Sequence, residues 1–244
     1  EFDFLNFLSR QGILRVAQPI ARDDVRGLGL YSCLPGKPIT RVEPLHVKQA
    51  AKFVILINNY RKEDGASSLP LAAESCVSVQ DHLDIVTQRV SRLKTTVINS
   101  GESSEFQNFV DHYLSPALQN ISGQLEKTLS EAETSQELST DELVLSPSDF
   151  GFHNVLEHDG ELFFVDFEYA GWDDGIKLLC DFSCQPELPV TNAQARQFCE
   201  IVERNLTIPL LMERVIMLTP LHRLKWCCIL LNEYLPGGRD RRVH

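Results

Sequence analysis

An Asp-Gly pair between two short apolar runs constrains the fold of this chain more than any other feature. The runs cover residues 155–158 and 161–166, and the pair is Asp159-Gly160. Asp-Gly favours the two-residue turn of a β-hairpin, because both residues tolerate the positive φ angles that this turn requires. We therefore expect an antiparallel hairpin over these residues.

Side chains with oxygen atoms flank the expected hairpin. Asp149 and Asn154 precede its first strand, and Asp166 ends its second. An antiparallel hairpin places the start of its first strand beside the end of its second, so Asn154 and Asp166 should be neighbours. Amide and carboxylate oxygens suit Mg²⁺, which takes its other ligands from water and phosphates. Asp149, on the same loop, is suited to accept or orient the proton of a hydroxyl group.

The rest of the sequence predicts mostly helices. Apolar residues recur at helical spacing in six segments. These are 1–10, 45–62, 78–98, 104–132, 192–204 and 208–235, with breaks expected at Pro116 and Pro220. Residues 28–34 alternate as in a strand and stop at Pro35-Gly36, a strong turn signal. We interpret the apolar stripes of the helices as core, without a functional role.

Composition narrows the classes of function. The formal net charge is −11, whereas a nucleic-acid binder needs a basic surface. The same charge favours cationic small substrates through long-range attraction. No apolar run approaches the roughly 20 residues of a membrane helix, and no signal peptide opens the chain. Seven cysteines without metal-ligand spacing indicate reduced thiols and a cytoplasmic setting. We therefore expect neither nucleic acid nor membrane as a partner.

The hairpin region resembles the catalytic loop and metal motif of the protein-kinase-like fold. The matching residues are Asp149-Phe-Gly-Phe-His-Asn154 and, after the hairpin, Val165-Asp-Phe-Glu168 followed by Tyr-Ala. The resemblance is to the aminoglycoside phosphotransferase and choline/ethanolamine kinase group of small-molecule kinases. It implies an α+β, two-lobed fold whose carboxyl-terminal lobe is mostly helical and carries the catalytic hairpin.

The resemblance also implies roles for single residues. Asp149 would be the catalytic aspartate, Asn154 and Asp166 would be metal ligands, and Asp181 would have a structural role. The segment 28–38 looks like the strand and hinge whose backbone contacts the adenine of ATP, or the base of GTP. The nucleotide-binding residues of this hinge would be Tyr31, Ser32, Cys33 and Leu34.

Further residues near the motif are candidates to support the metal or to contact the substrate. They are His153, Glu168, Trp172, Asp173 and Asp174. Glu168 either supports the metal or caps the following loop, and His153 orients its loop by hydrogen bonding. Trp172 would line the substrate mouth. Asp173 and Asp174 are ordinary turn residues unless the substrate is a cationic amine or an aminoglycoside.

The sequence departs from the family pattern in three places. The family usually has His two residues before the catalytic aspartate, where this chain has Pro147. The family's His-Pro-Gly-Asn form reads Gly-Phe-His153-Asn154 here. The sequence contains no glycine-rich loop or strand lysine, the parts that hold the nucleotide phosphates, and by the resemblance these parts would precede residue 1. We therefore expect residues 1–35 to form a truncated amino-terminal lobe and residues 36–244 the helical lobe.

The expected function is phosphorylation, dependent on ATP and Mg²⁺, of a hydroxyl group on a small molecule. The acceptor class is an amino alcohol, a sugar or an aminoglycoside-like compound, provided that the missing amino-terminal segment exists. The alternative is a non-catalytic kinase-like binding module, which Pro147 and the absent phosphate loop favour. A kinase that acts on proteins ranks below both, because no activation segment of the usual APE-ended type follows Asp166.

Overall fold

The structure is a computed structural model that describes residues 1–100 and 104–235. Its helices are α1 Phe2–Arg10, α2 Pro44–Asn59, α3 Val79–Ser100, α4 Ser104–Phe109, α5 Ser115–Thr128, α6 Glu131–Ser135, α7 Gly175–Cys184, α8 Asn192–Glu203 and α9 Leu211–Leu230. Its strands are β1 Pro19–Asp23, β2 Leu28–Tyr31, β3 Lys37–Pro38, β4 Val144–Ser146, β5 Val155–His158, β6 Glu161–Phe164 and β7 Gly171–Asp173. The predicted α+β fold class, with helices in the majority, is confirmed.

The strands form small antiparallel sheets. β1 pairs with β2, β4 pairs with β7, and β5 lies between β3 and β6. The turn that leads into β3 requires a glycine at position 36. Gly36 has a φ of 108°, and a Cβ there would lie 2.6 Å from the carbonyl oxygen of Glu157. The predicted Pro-Gly turn therefore brings the chain back against the hairpin of β5 and β6.

Helix α2 holds two of these sheets through the amide side chains of Gln49 and Asn58. Gln49 Nε2 donates to the carbonyl of Gly160 at 2.8 Å, and Gln49 Oε1 accepts from the N–H of Leu162 at 3.0 Å. Asn58 Nδ2 donates to the carbonyl of Leu145, and Asn58 Oδ1 accepts from its N–H, both at 2.9 Å. One helix thus fixes both the hairpin and strand β4, which precedes the loop that contains Asp149.

Buried phenylalanines form the core beneath these strands. They are Phe4, Phe53, Phe150, Phe152, Phe164, Phe167, Phe182 and Phe198. The rings of Phe53 and Phe164 stack with centroids 4.0 Å apart, and those of Phe182 and Phe198 with centroids 3.8 Å apart. Each buried side chain of this size stabilises the fold by about 1.5–3 kcal/mol, so the core gives the loop above it a rigid base.

The described residues divide into two compact units. The first comprises Glu1–Ser75 and Leu138–Met212, and the second comprises Cys76–Glu137 and the chain from Glu213 onward. The first unit contains residues on both sides of position 35, and the lobe boundary expected there stays a prediction. Within residues 1–100 and 104–235, every helix is too short or too polar to cross a membrane.

The expected division of the last long helix at Pro220 is wrong. Helix α9 continues through Pro220 from Leu211 to Leu230. An interior proline costs about 3 kcal/mol through a lost hydrogen bond and a clash with the preceding turn. Pro220 itself is exposed, while Leu218 and Leu221 beside it are fully buried. Their burial offsets this cost.

By contrast, the break expected near Pro116 is present as a π-helical segment, Val110–Leu114, before α5.

Candidate functional site

The Asp-Gly turn forms the hairpin that the sequence predicts. Asp159 and Gly160 have φ angles of 49° and 76°, as the turn with two left-handed residues requires. Strands β5 and β6 pair antiparallel, with Val155 opposite Phe164 and His158 opposite Glu161. The turn is exposed and its flanking strands are partly buried, so the hairpin has one face on the core.

The hairpin brings Asn154 beside the residues that follow β6. The N–H of Val165 donates to the carbonyl of Asn154 at 3.1 Å. Asp166 is the next residue along the chain, so it lies close to Asn154, as antiparallel pairing predicts. Strand β6 ends at Phe164, which places Asp166 just beyond the strand and not at its last position.

The loop before the hairpin alternates between core and surface. Phe150 and Phe152 are buried, whereas the side chain of Asp149 is 36% exposed. Asn154 Nδ2 donates to the backbone carbonyl of Asp149 at 3.0 Å, and the N–H of Asn154 donates to the carbonyl of Gly151 at 3.2 Å. The two phenylalanines anchor the loop, and these hydrogen bonds fix Asp149 relative to Asn154.

Two residues of the site have strained backbone conformations. Ser148, directly before Asp149, has a φ of 66°, and Asp166 has a φ of 64°. Residues other than glycine adopt this left-handed region rarely, at a cost of about 1–3 kcal/mol, and such residues cluster at functional sites. The strain therefore marks both segments that carry the candidate carboxylates.

Negative charges crowd around Asp166. Partial desolvation raises the pKa of its carboxyl above the ordinary value, and the charges of Glu168 and Asp149 raise it further. Interaction with the neighbouring Glu168 carboxylate contributes most to raising the pKa of the Tyr169 hydroxyl to about 12. The carboxylates of Asp149, Asp166 and Glu168 thus interact electrostatically, and a cation among them would relieve their repulsion.

The imidazole of His153 lies beside Asp149. Its Nε2 is 3.3 Å from Asp149 Oδ1, and its side chain is only 9% exposed. The distance fits a polar contact, but neither ring nitrogen is aligned for a hydrogen bond to any described residue. We regard the pair as an electrostatic contact whose alignment is incomplete.

Solved structures resemble this one over nearly the whole chain. A choline kinase from Cryptosporidium parvum Iowa II is 12% identical, with a TM-score of 0.59 over 99% of this chain and 74% of that one. A choline/ethanolamine kinase family protein from Mesorhizobium loti is 14% identical, with a TM-score of 0.60 over 98% and 72%. A spectinomycin phosphotransferase in complex with ADP and spectinomycin is 15% identical, with a TM-score of 0.64 over 98% and 74%. The chain has the protein-kinase-like fold of these small-molecule kinases. No model of a protein family and no curated protein sequence matches the chain.

Within the kinase-like fold, the segment expected to be the hinge follows β2. The N–H of Ser32 donates to the carbonyl of Gln18, and the N–H of Gln18 donates to Ser32 Oγ, both at 2.9 Å. Among residues 1–100 and 104–235, no partner accepts a hydrogen bond from the backbone N–H of Cys33 or Leu34. Ser32 therefore ties the segment to the sheet while those backbone groups stay accessible. The nucleotide role of Tyr31 to Leu34 stays a prediction.

The residues present fit a magnesium ion. The amide of Asn154 is oriented by the donation from its Nδ2 to the carbonyl of Asp149, which leaves Oδ1 available as an acceptor. Mg²⁺ usually binds one or two protein oxygen groups and keeps water or phosphate ligands. The structure describes no group of three or more His, Cys, Asp or Glu side chains that could hold a metal ion. The candidate site differs from such a group, because it has two protein ligands and one of them is the amide of Asn154.

Asp173 and Asp174 are neither exposed turn residues nor substrate-binding residues in this structure. Both are fully buried. Lys177 Nζ donates to Asp173 Oδ2 at 2.7 Å, and Asp174 Oδ1 accepts from the N–H of Ile176 at 2.9 Å, which caps α7. These carboxylates are enclosed by the protein, so we correct the substrate role considered for them to a structural one. Their burial could not be read from the sequence, although the i, i+4 spacing to Lys177 is a signal for an ion pair.

Trp172 is also directed away from the expected substrate mouth. Its Nε1 donates to the carbonyl of Ala66 at 2.9 Å. With Arg61, Leu69 and Leu143 it lines a cavity of about 510 Å³, whose lining includes none of the candidate metal and catalytic residues. The structure therefore does not bring Trp172 to the site, whereas Glu168 lies there through its effect on Asp166.

Gly151 is a residue of the site that the sequence did not single out. Its φ is −170°, an extended conformation that any residue adopts. A Cβ at Gly151 would nevertheless lie 2.8 Å from His153 Nδ1 and 2.9 Å from His153 Cε1. Glycine is needed here because the imidazole packs against the backbone, and only the folded loop reveals this contact.

Proposed function

We propose that this protein transfers the γ-phosphoryl group of ATP to a hydroxyl group of a small molecule, with Mg²⁺ as the required metal. The observation that supports this most strongly is the grouping of Asp149, Asn154 and Asp166 by one loop and one hairpin. Structures with the same fold include a choline kinase and a spectinomycin phosphotransferase. The names of both proteins specify small-molecule acceptors, which supports a small molecule over a protein as acceptor here.

Asp149 would orient the acceptor hydroxyl and accept its proton. Its carboxylate is partly exposed while its backbone is held by Asn154. A fixed and accessible carboxylate is what a base needs in order to meet an incoming hydroxyl group at hydrogen-bond distance. Because phosphoryl transfer needs mainly correct placement and charge stabilisation, the rigid loop contributes as much as the proton transfer.

Asn154 and Asp166 would hold Mg²⁺ through Oδ1 and the carboxylate. When bound, the metal neutralises the charge of the nucleotide phosphates. The strained backbone of Asp166 and the neighbouring carboxylates of Asp149 and Glu168 are consistent with a site prepared for a cation. Glu168, whose charge acts on Asp166, would support that residue from outside the ligand set.

The nucleotide base would bind the hinge segment from Tyr31 to Leu34. Backbone N–H groups of Cys33 and Leu34 that make no hydrogen bond within the described chain support this assignment. Structures of the same fold contain AMP or ADP, which favours ATP as the donor. None of the seven cysteines, all of which lie among the described residues, forms a disulfide, which supports the proposal of a reducing, cytoplasmic environment.

Phosphotransfer assays on matched variants test this proposal. ADP release is measured for the full chain with ATP, Mg²⁺ and choline, ethanolamine or spectinomycin. We expect Asp149→Asn to lower turnover by roughly 10²- to 10⁴-fold, the usual contribution of a general base, while ADP binding is retained. Asp159→Asn is the control, since it removes the same charge from the exposed hairpin turn and should leave turnover unchanged.

Two results would contradict the proposal. Retained turnover in Asp149→Asn would remove the assigned role of that residue. Nucleotide binding by the unmodified protein without turnover on any acceptor would favour the non-catalytic binding module.

A further inference from the structure

His153 has the properties of a residue that acts on Asp149. Its ring is nine-tenths buried, and Asp149 Oδ1 lies 3.3 Å from its Nε2. Both ring nitrogens are buried without a hydrogen bond to any described residue. Buried polar groups are normally satisfied, so an imidazole left in this state requires an explanation.

We infer that His153 is a positioning residue that holds the carboxylate of Asp149 for phosphotransfer. This inference rests on the proposed function. In the assigned arrangement the N–H at Nε2 donates to Oδ1, which leaves Oδ2 to receive the proton of the acceptor hydroxyl. The distance between Nε2 and Oδ1 is already close to that of a hydrogen bond, and a small rotation of either side chain gives the required angle. The imidazole keeps its proton throughout, and its role is to select one orientation of the carboxylate.

The loop fixes the backbone of His153 on both sides. Phe152, directly before it, is buried and packs edge-to-face on Phe182 with centroids 5.4 Å apart. Asn154, directly after it, donates hydrogen bonds to the carbonyls of Gly151 and Asp149. The imidazole therefore extends from a turn with little freedom, which suits a residue that must orient another.

Gly151 makes room for this imidazole. A side chain at position 151 would collide with His153 Nδ1 and Cε1, and would lie 3.2 Å from Gln185 Cγ. Pro147, two residues before Asp149, has no side-chain donor. His153 is thus the neighbouring side chain that brings an N–H to Asp149 Oδ1 within the described loop, and Gly151 is the residue that permits its position.

Kinetic analysis of variants at His153 and Gly151 tests the inference, using whichever of choline, ethanolamine and spectinomycin the unmodified protein phosphorylates. His153→Ala should lower kcat roughly 10- to 100-fold, as loss of correct placement does, with KM for ATP unchanged. His153→Gln should recover most of kcat, because its amide also donates from the Nε2 position. His158→Ala is the matched control, since His158 is an exposed histidine beside an aspartate in the same hairpin.

A double-mutant cycle isolates the contact between Gly151 and His153. Gly151→Ala should lower kcat as His153→Ala does in the unmodified protein, because the added methyl group displaces the imidazole. In Gly151→Ala/His153→Ala, the glycine substitution should have little further effect, so the two changes are strongly non-additive. Full additivity would overturn the assigned role of Gly151, and with it the positioning of His153.

A spectrum that needs no turnover separates this inference from the proposed function. Long-range ¹H–¹⁵N spectra of histidine-labelled protein should show a proton on Nε2 of His153, with a signal that shifts in Asp149→Asn. If the unmodified protein phosphorylates no acceptor, the proposed function fails, and this spectrum still decides the contact. An unshifted signal overturns the inference. An unchanged kcat in His153→Ala, while Asp149→Asn is inactive, also overturns it. A His153→Ala variant in which only the KM for ATP rises overturns it too, because that result would indicate a contact between His153 and the phosphates.

Discussion

Asp166 combines unfavourable backbone geometry with unfavourable electrostatics at a single residue. Its φ is 64°, and partial desolvation together with the charges of Glu168 and Asp149 raises the pKa of its carboxyl. A folded protein retains such a residue at a functional site when the surrounding structure enforces it. A divalent cation bound at Asp166 would attract each of these carboxylates and so offset the repulsion between them.

Replacing Asp166 by Asn should therefore have opposite effects without and with the metal. Without a divalent cation we expect the free energy of unfolding to rise by about 0.2–1 kcal/mol, a small value because Asp166 is exposed and screened. Asn also tolerates the left-handed conformation, so the backbone should be preserved. With Mg²⁺ and ADP, the unmodified protein should gain stability that Asp166→Asn does not gain.

Thermal unfolding with and without Mg²⁺ and ADP measures both effects. Asp159→Asn provides the control, because it removes a carboxylate from the same hairpin at an exposed turn. An equal gain in melting temperature for the unmodified protein and Asp166→Asn would exclude Asp166 as a metal ligand.

Sequence reasoning at the residue scale depended on whether a signal was local. The convergence of Asn154 and Asp166 followed from an Asp-Gly turn and antiparallel pairing, which neighbouring residues determine. Asp173 looked like an ordinary turn residue in the sequence. Its burial arises from packing and from the ion pair with Lys177, which the local sequence does not show. The need for glycine at position 151 likewise arises from the imidazole of His153, whose position only the folded loop defines.

Helix α2 organises the site at the scale of secondary-structure elements. Gln49 satisfies backbone groups of the hairpin turn and of β6, and Asn58 satisfies both backbone groups of Leu145 in β4. Each amide side chain takes the place of a neighbouring strand. Since β4 ends at Ser146, three residues before Asp149, the position of Asp149 depends on this helix.

Asn58→Ala should destabilise the protein by about 2–4 kcal/mol. The substitution leaves the buried N–H and C=O groups of Leu145 without partners, and each such group costs about 1–3 kcal/mol. Urea denaturation measures the loss, and hydrogen exchange should show faster exchange at the Leu145 amide. Asn59→Ala is the matched control, because Asn59 is the exposed next residue of the same helix. Similar losses for both variants would contradict the assigned role of Asn58.

Element length decided which elements the sequence could predict. Helices α1, α2, α3 and α8 show apolar periodicity over several turns, and the structure contains each of them. Strands β4 and β7 have only three residues each, which is too short for an alternating pattern. Gly171 in β7 is needed because a Cβ would lie 2.4 Å from the carbonyl oxygen of Pro70. That contact joins segments far apart in sequence, so no local pattern encodes it.

At the scale of the whole molecule, each compact unit contains a buried thiol that resists ionisation. Cys199 belongs to the first unit and Cys228 to the second. Burial raises the pKa of both thiols to about 12, from an ordinary value of 9.0. Between these values, the unfolded chain releases the thiol protons while the folded chain keeps them. The folded state then binds more protons, so stability must fall as the pH rises.

We therefore expect the free energy of unfolding to decrease above about pH 9, by up to about 1.4 kcal/mol per pH unit for each buried thiol. Urea denaturation at several pH values between about 8 and 11 measures the slope. Cys199→Ala and Cys228→Ala should each reduce it, whatever stability they lose at neutral pH. Cys227→Ala is the comparison for Cys228: it removes the adjacent exposed thiol, whose charge helps to raise the pKa of Cys228, and should reduce the slope less than Cys228→Ala does. If all three variants retain the slope of the unmodified protein, the buried thiols do not cause the alkaline loss. Different slopes in the two alanine variants at buried sites would show how much each unit contributes to it.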